Sequence, residues 1–252
     1  MRMASRAIEE AFSSTAKLLI GKNLSPIDTY ADWLVRDLPN WRVLKRAGRE
    51  AAVPNYGFFK FIPDNRIAAF ERFDEIGSRR LEVRPPPDLH ALAAGLGRSL
   101  ECVADVIEGT NMDVDSCTLY KNLVSAYKCL GSFHSKHVGF IVWSDYNEYC
   151  FGLYRTFHSK SSMKCYHSDK LSRCLEMDGC NNCSDAMFCH NCENLQNCMF
   201  CFNINGRQYC IGNAEVGKEK YMQIKKLVLD EIAQKLEKDK KLVCLPKETY
   251  GL

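Results

Sequence analysis

Three Cys-x-x-Cys pairs carry most of the chemistry that this sequence offers. They are Cys180/Cys183, Cys189/Cys192 and Cys198/Cys201. Each pair has the spacing of a zinc half-site. Two pairs brought together would supply four thiolates, which is the ligand set of a structural zinc ion or of an iron–sulfur cluster. A metal-thiolate protein is therefore one class of function that the sequence predicts.

The paired cysteines belong to a longer repeat. Cysteines recur at intervals of nine residues at Cys165, Cys174, Cys183, Cys192, Cys201 and Cys210. When every third residue from Cys117 to Asn213 is taken, nearly all are small or apolar, and only Arg207 is charged. A three-residue period fits neither an α-helix nor a simple strand, but it is typical of a β-solenoid whose coils are made of short strands and corners.

The length of a coil decides which cysteines meet. Nine residues are too few to enclose side chains, so we predict a coil of two such repeats, about 18 residues. In that register Cys180/Cys183 lies directly below Cys198/Cys201, one strand spacing away, where the four thiolates converge. Cys189/Cys192 is the next candidate pair for the metal. Asparagines such as Asn191 and Asn197 precede cysteines and suit the corners, because asparagine tolerates the left-handed conformation.

The alternative to a metal site is a ladder of buried, reduced thiols. The cysteines share their phase with Ala186, Leu195 and Ile204, which are core residues, and cysteine packs as a small hydrophobe. We favour reduced thiols over a zinc ion or an iron–sulfur cluster. Disulfides are the least favoured of the three interpretations. The cofactor prediction is accordingly none or zinc.

Aromatic side chains cluster on the outer phases of the predicted solenoid. They are Phe140, Trp143, Tyr146, Tyr149, Phe151, Tyr154 and Phe157. An outward apolar stripe of this size must be covered by the terminal regions or by a partner. We predict it as an interaction surface.

The sequence divides into three regions, which together predict an α+β fold. Residues 1–110 predict a mainly helical domain, with helices at 4–20, from Ile27 to near Pro39 and at 88–108, a strand at Tyr56–Ile62, and a short basic helix at Trp41–Arg49. Residues 111–213 form the Cys-rich solenoid. In residues 214–252, Lys218–Lys241 predicts a long helix that caps the last coil, while the 88–108 helix caps the first.

Composition limits the partners and the compartment. The net charge of +3 in 252 residues does not favour nucleic acid. No signal peptide and no membrane-spanning run is recognisable, and the fourteen cysteines then indicate a reducing compartment, either the cytoplasm or a particle assembled there. No Gly-rich phosphate loop, nucleophile elbow or HExxH helix occurs, so we predict no catalytic residue and no enzyme.

The end of the repeat resembles a known group of sequences. The run from Cys198 to Asn213, with its Tyr-Cys-Ile-x-Asn step, is followed by Lys218-Glu219-Lys220-Tyr221. This is similar to uncharacterised Cys/Asn-rich repeat proteins of candidate-phylum bacteria, archaea and metagenomes, over roughly residues 165–225. The resemblance implies the solenoid and carries no activity. We predict a non-enzymatic structural or interaction protein that self-assembles or binds proteins, such as a subunit of a virus-like assembly.

Overall fold

The chain forms a β-solenoid between Ile107 and Ile211, with helices on both sides of it in the sequence. The computed structural model describes residues 4–38, 40–46, 49–55, 57–80, 88–103, 106–140, 144–145, 151–152, 155–157, 161–164, 167–170, 173–176 and 184–243. Within them the helices are α1 (Arg6–Ile20), α2 (Ala31–Val35), α3 (Phe73–Gly77), α4 (Leu89–Ser99) and α5 (Lys218–Asp239), with 3₁₀ turns at Ile27–Tyr30, Gly57–Phe61, Asp64–Arg66 and Phe70–Arg72. The fold is thus mixed α+β.

The strands of the described residues are short, and those of the solenoid pair in parallel. They are β1 (Trp41–Arg46), β2 (Arg49–Pro54), β3 (Ile67–Ala68), β4 (Cys102–Val103), β5 (Ile107–Glu108), β6 (Met112–Asp115), β7 (Thr118–Lys121), β8 (Val124–Tyr127), β9 (Leu130–Phe133), β10 (Lys136–Gly139), β11 (Ser144–Asp145), β12 (Arg155–Phe157), β13 (His167–Lys170), β14 (Ser184–Met187), β15 (Gln196–Met199), β16 (Cys210–Ile211) and β17 (Ala214–Glu215). The described solenoid sheets run in the orders β10-β8-β6, β13-β12-β11-β9-β7-β5 and β14-β15-β16-β17.

Successive coils of the solenoid are offset by twelve residues. Thr118 pairs with Leu130, and Ser184 pairs with Gln196. The backbone also turns at every third residue, where φ is positive. A twelve-residue coil with a corner every three residues has four sides. The predicted coil of about 18 residues is therefore wrong; both lengths are multiples of three, and the three-residue period alone does not separate them.

Asparagine occupies many of the corners, as the sequence predicts. Asn191, Asn194, Asn197 and Asn203 have φ between 47° and 53°, in the left-handed region. The amide Nδ2 of Asn191 donates a hydrogen bond of 2.7 Å to Oδ1 of Asn203, one coil further on. Stacked asparagines thus bond to one another while their backbones adopt a conformation that costs most other residues about 1–2 kcal/mol.

The interior of each coil is filled by the residue that follows each corner. The buried interior side chains of the described coils include Cys117, Leu123, Ala126, Cys129, Ser132, Ser135, Val138, Ser162, Cys174, Ala186, Cys189, Cys192, Leu195, Cys198, Cys201 and Cys210. The prediction that the three-residue phase marks the interior is confirmed for these positions. Small side chains are required because a bore enclosed by twelve residues is narrow.

One outer side of the solenoid is apolar and is covered by helices. Its ladder repeats every twelve residues through Tyr127, Phe151, Met163, Leu175, Met187 and Met199. These residues share one buried cluster with α1, the 24–38 segment and α5. On α5 the buried residues are Tyr221, Ile232, Ala233 and Leu236. The predicted C-terminal helix is therefore confirmed, but its buried residues belong to the core along the flank of the solenoid, together with α1.

The N-terminal region contains more strand than the sequence predicts. Trp41–Arg46 is a strand in the hairpin β1–β2 and not a short helix, while Gly57–Phe61 is a 3₁₀ turn and not a strand. The hairpin covers another side of the solenoid, where the backbone N–H of Ala52 donates to Oγ1 of Thr118 at 2.7 Å. One face of each strand of this hairpin can pack against the protein while the other face is exposed to solvent. Basic residues that alternate along the sequence are therefore compatible with a strand.

The predicted helix over 88–108 is shorter than expected. α4 ends at Ser99, and among its residues only Gly95 is buried. The chain then forms β4, which pairs with β3, and β5, which joins the solenoid sheet beside β7.

The chain reverses direction after the last coil, and α5 then contacts that coil through the rings of Tyr221 and Tyr209, whose centroids lie 5.8 Å apart. After Cys210 and Ile211 the chain reverses into the antiparallel strand β17. Arg207 occupies an interior-phase position of this coil and is exposed, with Nη1 lying 3.6 Å from Glu215 Oε1. A charge at such a position discourages another sheet edge from adding to the end of the solenoid.

Gly152 provides a test of how closely the 24–38 segment approaches the solenoid. Its φ is +82°, and an added Cβ would lie 2.4 Å from the carbonyl oxygen of Leu34. We expect Gly152→Ala to lower the free energy of unfolding by about 1–2 kcal/mol for the left-handed backbone, and by about 1–3 kcal/mol more for the clash.

Gly206→Ala is the matched control, because Gly206 has φ +65° and open space around it. It should show the backbone cost alone when both variants are unfolded in urea. Equal losses in the two variants would contradict the close packing at Leu34.

Candidate functional site

The twelve-residue register changes which cysteines are neighbours. Cys198 lies above Ala186, and Cys201 lies above Cys189, because Ala186 pairs with Cys198 and His190 with Phe202. The predicted stacking of Cys198/Cys201 on a pair eighteen residues earlier is therefore wrong. Cys180 and Cys183 themselves lie outside the described residues. Among the described residues, no group of three or more His, Cys, Asp or Glu side chains is arranged to hold a metal ion.

The described interior thiols are satisfied as hydrogen-bond donors. Seven of them donate to the carbonyl oxygen two residues earlier, as Cys192 Sγ does to His190 O at 3.1 Å and Cys201 Sγ to Met199 O at 3.4 Å; the seven are Cys117, Cys129, Cys189, Cys192, Cys198, Cys201 and Cys210. Burial raises the pKa of the Cys117 and Cys210 thiols. Hydrogen bonds to Cys192 and Cys201 raise the pKa of Cys189. Hydrogen bonding with Cys189 lowers the pKa of Cys192 to about 7, and hydrogen bonding with Cys189 and Cys198 lowers the pKa of Cys201 to about 3. The thiols whose pKa is raised stay protonated, and a protonated thiol is a poor nucleophile and a poor metal ligand.

Two of the seven predicted surface aromatics are buried within the chain. Phe140 is 2% exposed and Phe151 is fully buried, and the Phe151 ring lies edge-on to Phe12 of α1 with centroids 5.2 Å apart. The prediction that these two form an interaction surface is wrong, because the N-terminal segment covers them. Trp143, Tyr146, Tyr149 and Tyr154 lie outside the described residues, as does the side chain of Phe157.

A row of corner residues carries several of the polar contacts between the solenoid and the terminal segments. The row repeats every twelve residues as Lys128, Phe140, Gly152, Lys164, Glu176, Phe188 and Phe200. At one end, Lys128 Nζ lies 2.8 Å from Oδ1 of Asp28. The hydroxyl of the neighbouring Tyr127 donates to the same oxygen at 2.8 Å, and burial raises the pKa of Tyr127.

The middle of this row holds a buried cluster of charges. Lys164 is fully buried, and its ammonium donates to Asp37 and, at 3.0 Å, to Oε1 of Glu176. The indole N–H of Trp33 donates to the same Oε1 at 2.8 Å. Arg36 lies 3.2 Å from Asp37 and 3.7 Å from Glu176. These two cations and two anions balance, which is the condition for burying charge without a large penalty.

Sequence reasoning missed this cluster because Lys164 and Glu176 lie in an outer phase, where charge normally means solvent exposure. The signal that could have found it is their spacing of twelve residues, which makes them neighbours in successive coils. This spacing identifies Lys164 and Glu176 as neighbours only once the coil length is known.

A small cleft lies next to the charge cluster, between the solenoid and α5. Its volume is about 160 Å³, and it is lined by Glu176, Phe188, Phe200, Val228, Glu231, Ile232, Lys235, Leu242 and Val243. The rings of Phe188 and Phe200 are stacked, with centroids 5.2 Å apart and planes at 4°. The lining combines apolar walls with a few polar groups, which is the usual make-up of a small-molecule site. Among the described residues that line it there is no serine, cysteine or histidine that could act as a nucleophile or as a histidine base.

A second feature that could bind a partner is an unpacked helix face. On α4 and just after it, Leu89, Leu96 and Leu100 are 77%, 53% and 39% exposed. The side chain of Asp88 caps the helix by accepting from the N–H of His90 at 3.0 Å. The helix is therefore defined at its start while its apolar stripe faces solvent. No helix of the described residues is long and apolar enough to cross a membrane.

Comparison with known proteins returned no match: no protein-family model, no curated protein and no solved structure resembles the chain significantly.

The buried charge cluster makes a prediction about stability. Glu176→Gln keeps an acceptor for Trp33 but leaves Lys164 and Arg36 opposed by Asp37 alone. We expect this variant to lose about 3–5 kcal/mol of unfolding free energy, because it breaks a buried ion pair. The measurement is urea unfolding followed by circular dichroism.

The double variant Lys164→Met/Glu176→Gln restores the balance of one cation and one anion. It should lose less than the sum of the two single variants, with a coupling of about 0.5–3 kcal/mol. Strictly additive losses would show that the two side chains do not interact in solution.

Proposed function

We propose that this protein is a non-enzymatic structural subunit that associates with a second copy of itself. The observation that carries the proposal is the exposed leucine stripe of α4. The solenoid provides the rigid body of the subunit, since each coil is hydrogen-bonded to the next and the two terminal helices α1 and α5 pack along its flank.

The stripe is continuous along the helix. Leu89, Leu92, Leu96 and Leu100 follow one another at intervals of three, four and four residues, which places them on one side of an α-helix. Gly95, the buried residue of α4, lies on a different side. The helix thus buries a small residue and leaves Leu89 and Leu96 exposed, with Leu92 partly buried between them. A contiguous apolar patch of this kind on a folded protein marks a contact site.

The chemistry of α4 favours a second copy as the occupant. Within α4 the only charged side chain besides the titratable His90 is Arg98, which lies opposite the stripe in a helical projection. No charge on the stripe demands an oppositely charged partner. A two-fold axis across the stripe would pair each leucine face with the same face of the other copy.

The competing classes of function have less support in the described residues. The cleft beside α5 has carboxylates and one lysine but no nucleophile paired with a base. For the zinc or iron–sulfur alternative, the described residues contain no group of three or more His, Cys, Asp or Glu side chains arranged to hold a metal ion. Larger assemblies, including a virus-like particle, would require further contacts beyond this two-fold one.

The test is the mass of the protein in solution. We expect sedimentation velocity and light scattering to show twice the mass of the chain at micromolar concentration. Leu96→Asp should convert the protein to a monomer, because it places a charge in the centre of the apolar contact.

Leu227→Asp is the matched control. Leu227 is a leucine of α5 that is 69% exposed, outside the α4 stripe, and its replacement should leave the dimer intact. A wild-type protein that stays monomeric at all concentrations, or a dimer that survives Leu96→Asp, would contradict the proposal.

A further inference from the structure

We propose that the cleft between the solenoid and α5 binds a small, neutral aromatic molecule that carries one hydrogen-bond donor, such as a phenol. This inference is independent of self-association through α4. It rests on the size of the cleft, on its aromatic wall and on one acceptor oxygen of Glu176.

The size of the cleft suits a single ring. Its volume of about 160 Å³ is similar to that of an apolar protein cavity of about 150 Å³ known to admit benzene. Apolar side chains come from both sides, with Phe188 and Phe200 on the solenoid and Val228 and Ile232 on α5. A flat ring fits beside stacked aromatic side chains, where offset or edge-on contacts are favourable.

Glu176 supplies the polar group that selects the ligand. Its Oε1 accepts from Trp33 at 2.8 Å and from Lys164 at 3.0 Å. Its Oε2 accepts no hydrogen bond from any of the described residues, although the side chain is only 7% exposed and lines the cleft. Oε2 is not among the fully buried polar atoms that lack a partner, so solvent reaches it. A donor on a ligand in the cleft would take the place of water at this oxygen.

The charges around Glu176 decide between a neutral ligand and an ion. An anionic ligand would meet a carboxylate at the wall. A cationic ligand would lie near the ammonium of Lys164 and the guanidinium of Arg36, which already contact this carboxylate. At the rim, Glu231 and Lys235 form their own pair at 3.4 Å. The surroundings are electrically balanced, so a neutral O–H or N–H donor is the best match.

The test compares phenol with toluene, which has the same shape but no donor. Binding of each to the full chain is measured by titration with methyl-detected NMR. We expect phenol to bind with a Kd of the order of 1 mM, and to shift the methyl signals of Val228, Ile232 and Leu242 but not those of Leu123, which is buried in the bore. No shifts at these three methyl groups would overturn the proposal.

Two variants separate the roles of the cleft and of Glu176. Val228→Trp fills the cleft and should weaken both ligands more than tenfold. In Lys164→Met/Glu176→Gln, the indole N–H of Trp33 keeps its hydrogen bond to the side-chain oxygen of the new glutamine. The NH₂ group of this glutamine, which is a donor, then stands in the place of the acceptor Oε2. Phenol should then bind about tenfold more weakly, while toluene is unaffected. If phenol and toluene respond equally to the double variant, the hydrogen bond to Glu176 is refuted.

Discussion

A corner every three residues is the constraint on which the structure of this protein depends. With twelve residues in a coil, each coil places four side chains inside, so the bore accepts only small or slender residues. Cysteine meets this requirement and adds a donor: its S–H can bond to the carbonyl two residues earlier, as at Cys192 and Cys201. The abundance of cysteine is thereby explained by packing and backbone satisfaction in the described coils, without a metal.

The same geometry determines where the terminal segments can bind. Residues twelve apart form straight ladders on the outside, so one apolar position per coil produces an apolar stripe along the whole flank. α1 and α5 both pack on this stripe, although the two helices lie at opposite ends of the sequence. Residues in and next to the two terminal segments also contact each other directly. Lys22 Nζ lies 3.5 Å from Glu237 Oε1, and Arg36 Nη1 donates a hydrogen bond of 2.7 Å to the carbonyl oxygen of Leu242. Hence the two ends of the chain stabilise one side of the solenoid together.

The sequence predicts the interior of the solenoid better than its exterior, and the reason is physical. Interior positions see the same environment in every coil, so their three-residue period is uninterrupted and can be read directly. The coil length is not contained in that period. It is contained in the apolar ladder through Phe151, Met163, Leu175, Met187 and Met199, whose members lie outside the interior phase and repeat every twelve residues. Apolar residues that recur every twelve positions in an outer phase are therefore the feature of the sequence that indicates the coil length.

The candidate site could not be predicted, because it depends on which outer side is covered. Lys164 and Glu176 would be ordinary surface charges on any of the uncovered sides. They are buried because the segment containing Trp33, Arg36 and Asp37 lies over them and supplies partners for both. The two oxygens of Glu176 are used unequally: Oε1 accepts two hydrogen bonds, Oε2 accepts none from the described residues, and the side chain lines the cleft beside α5. The cleft on this flank therefore forms where three distant parts of the chain meet, none of which carries a recognisable motif alone.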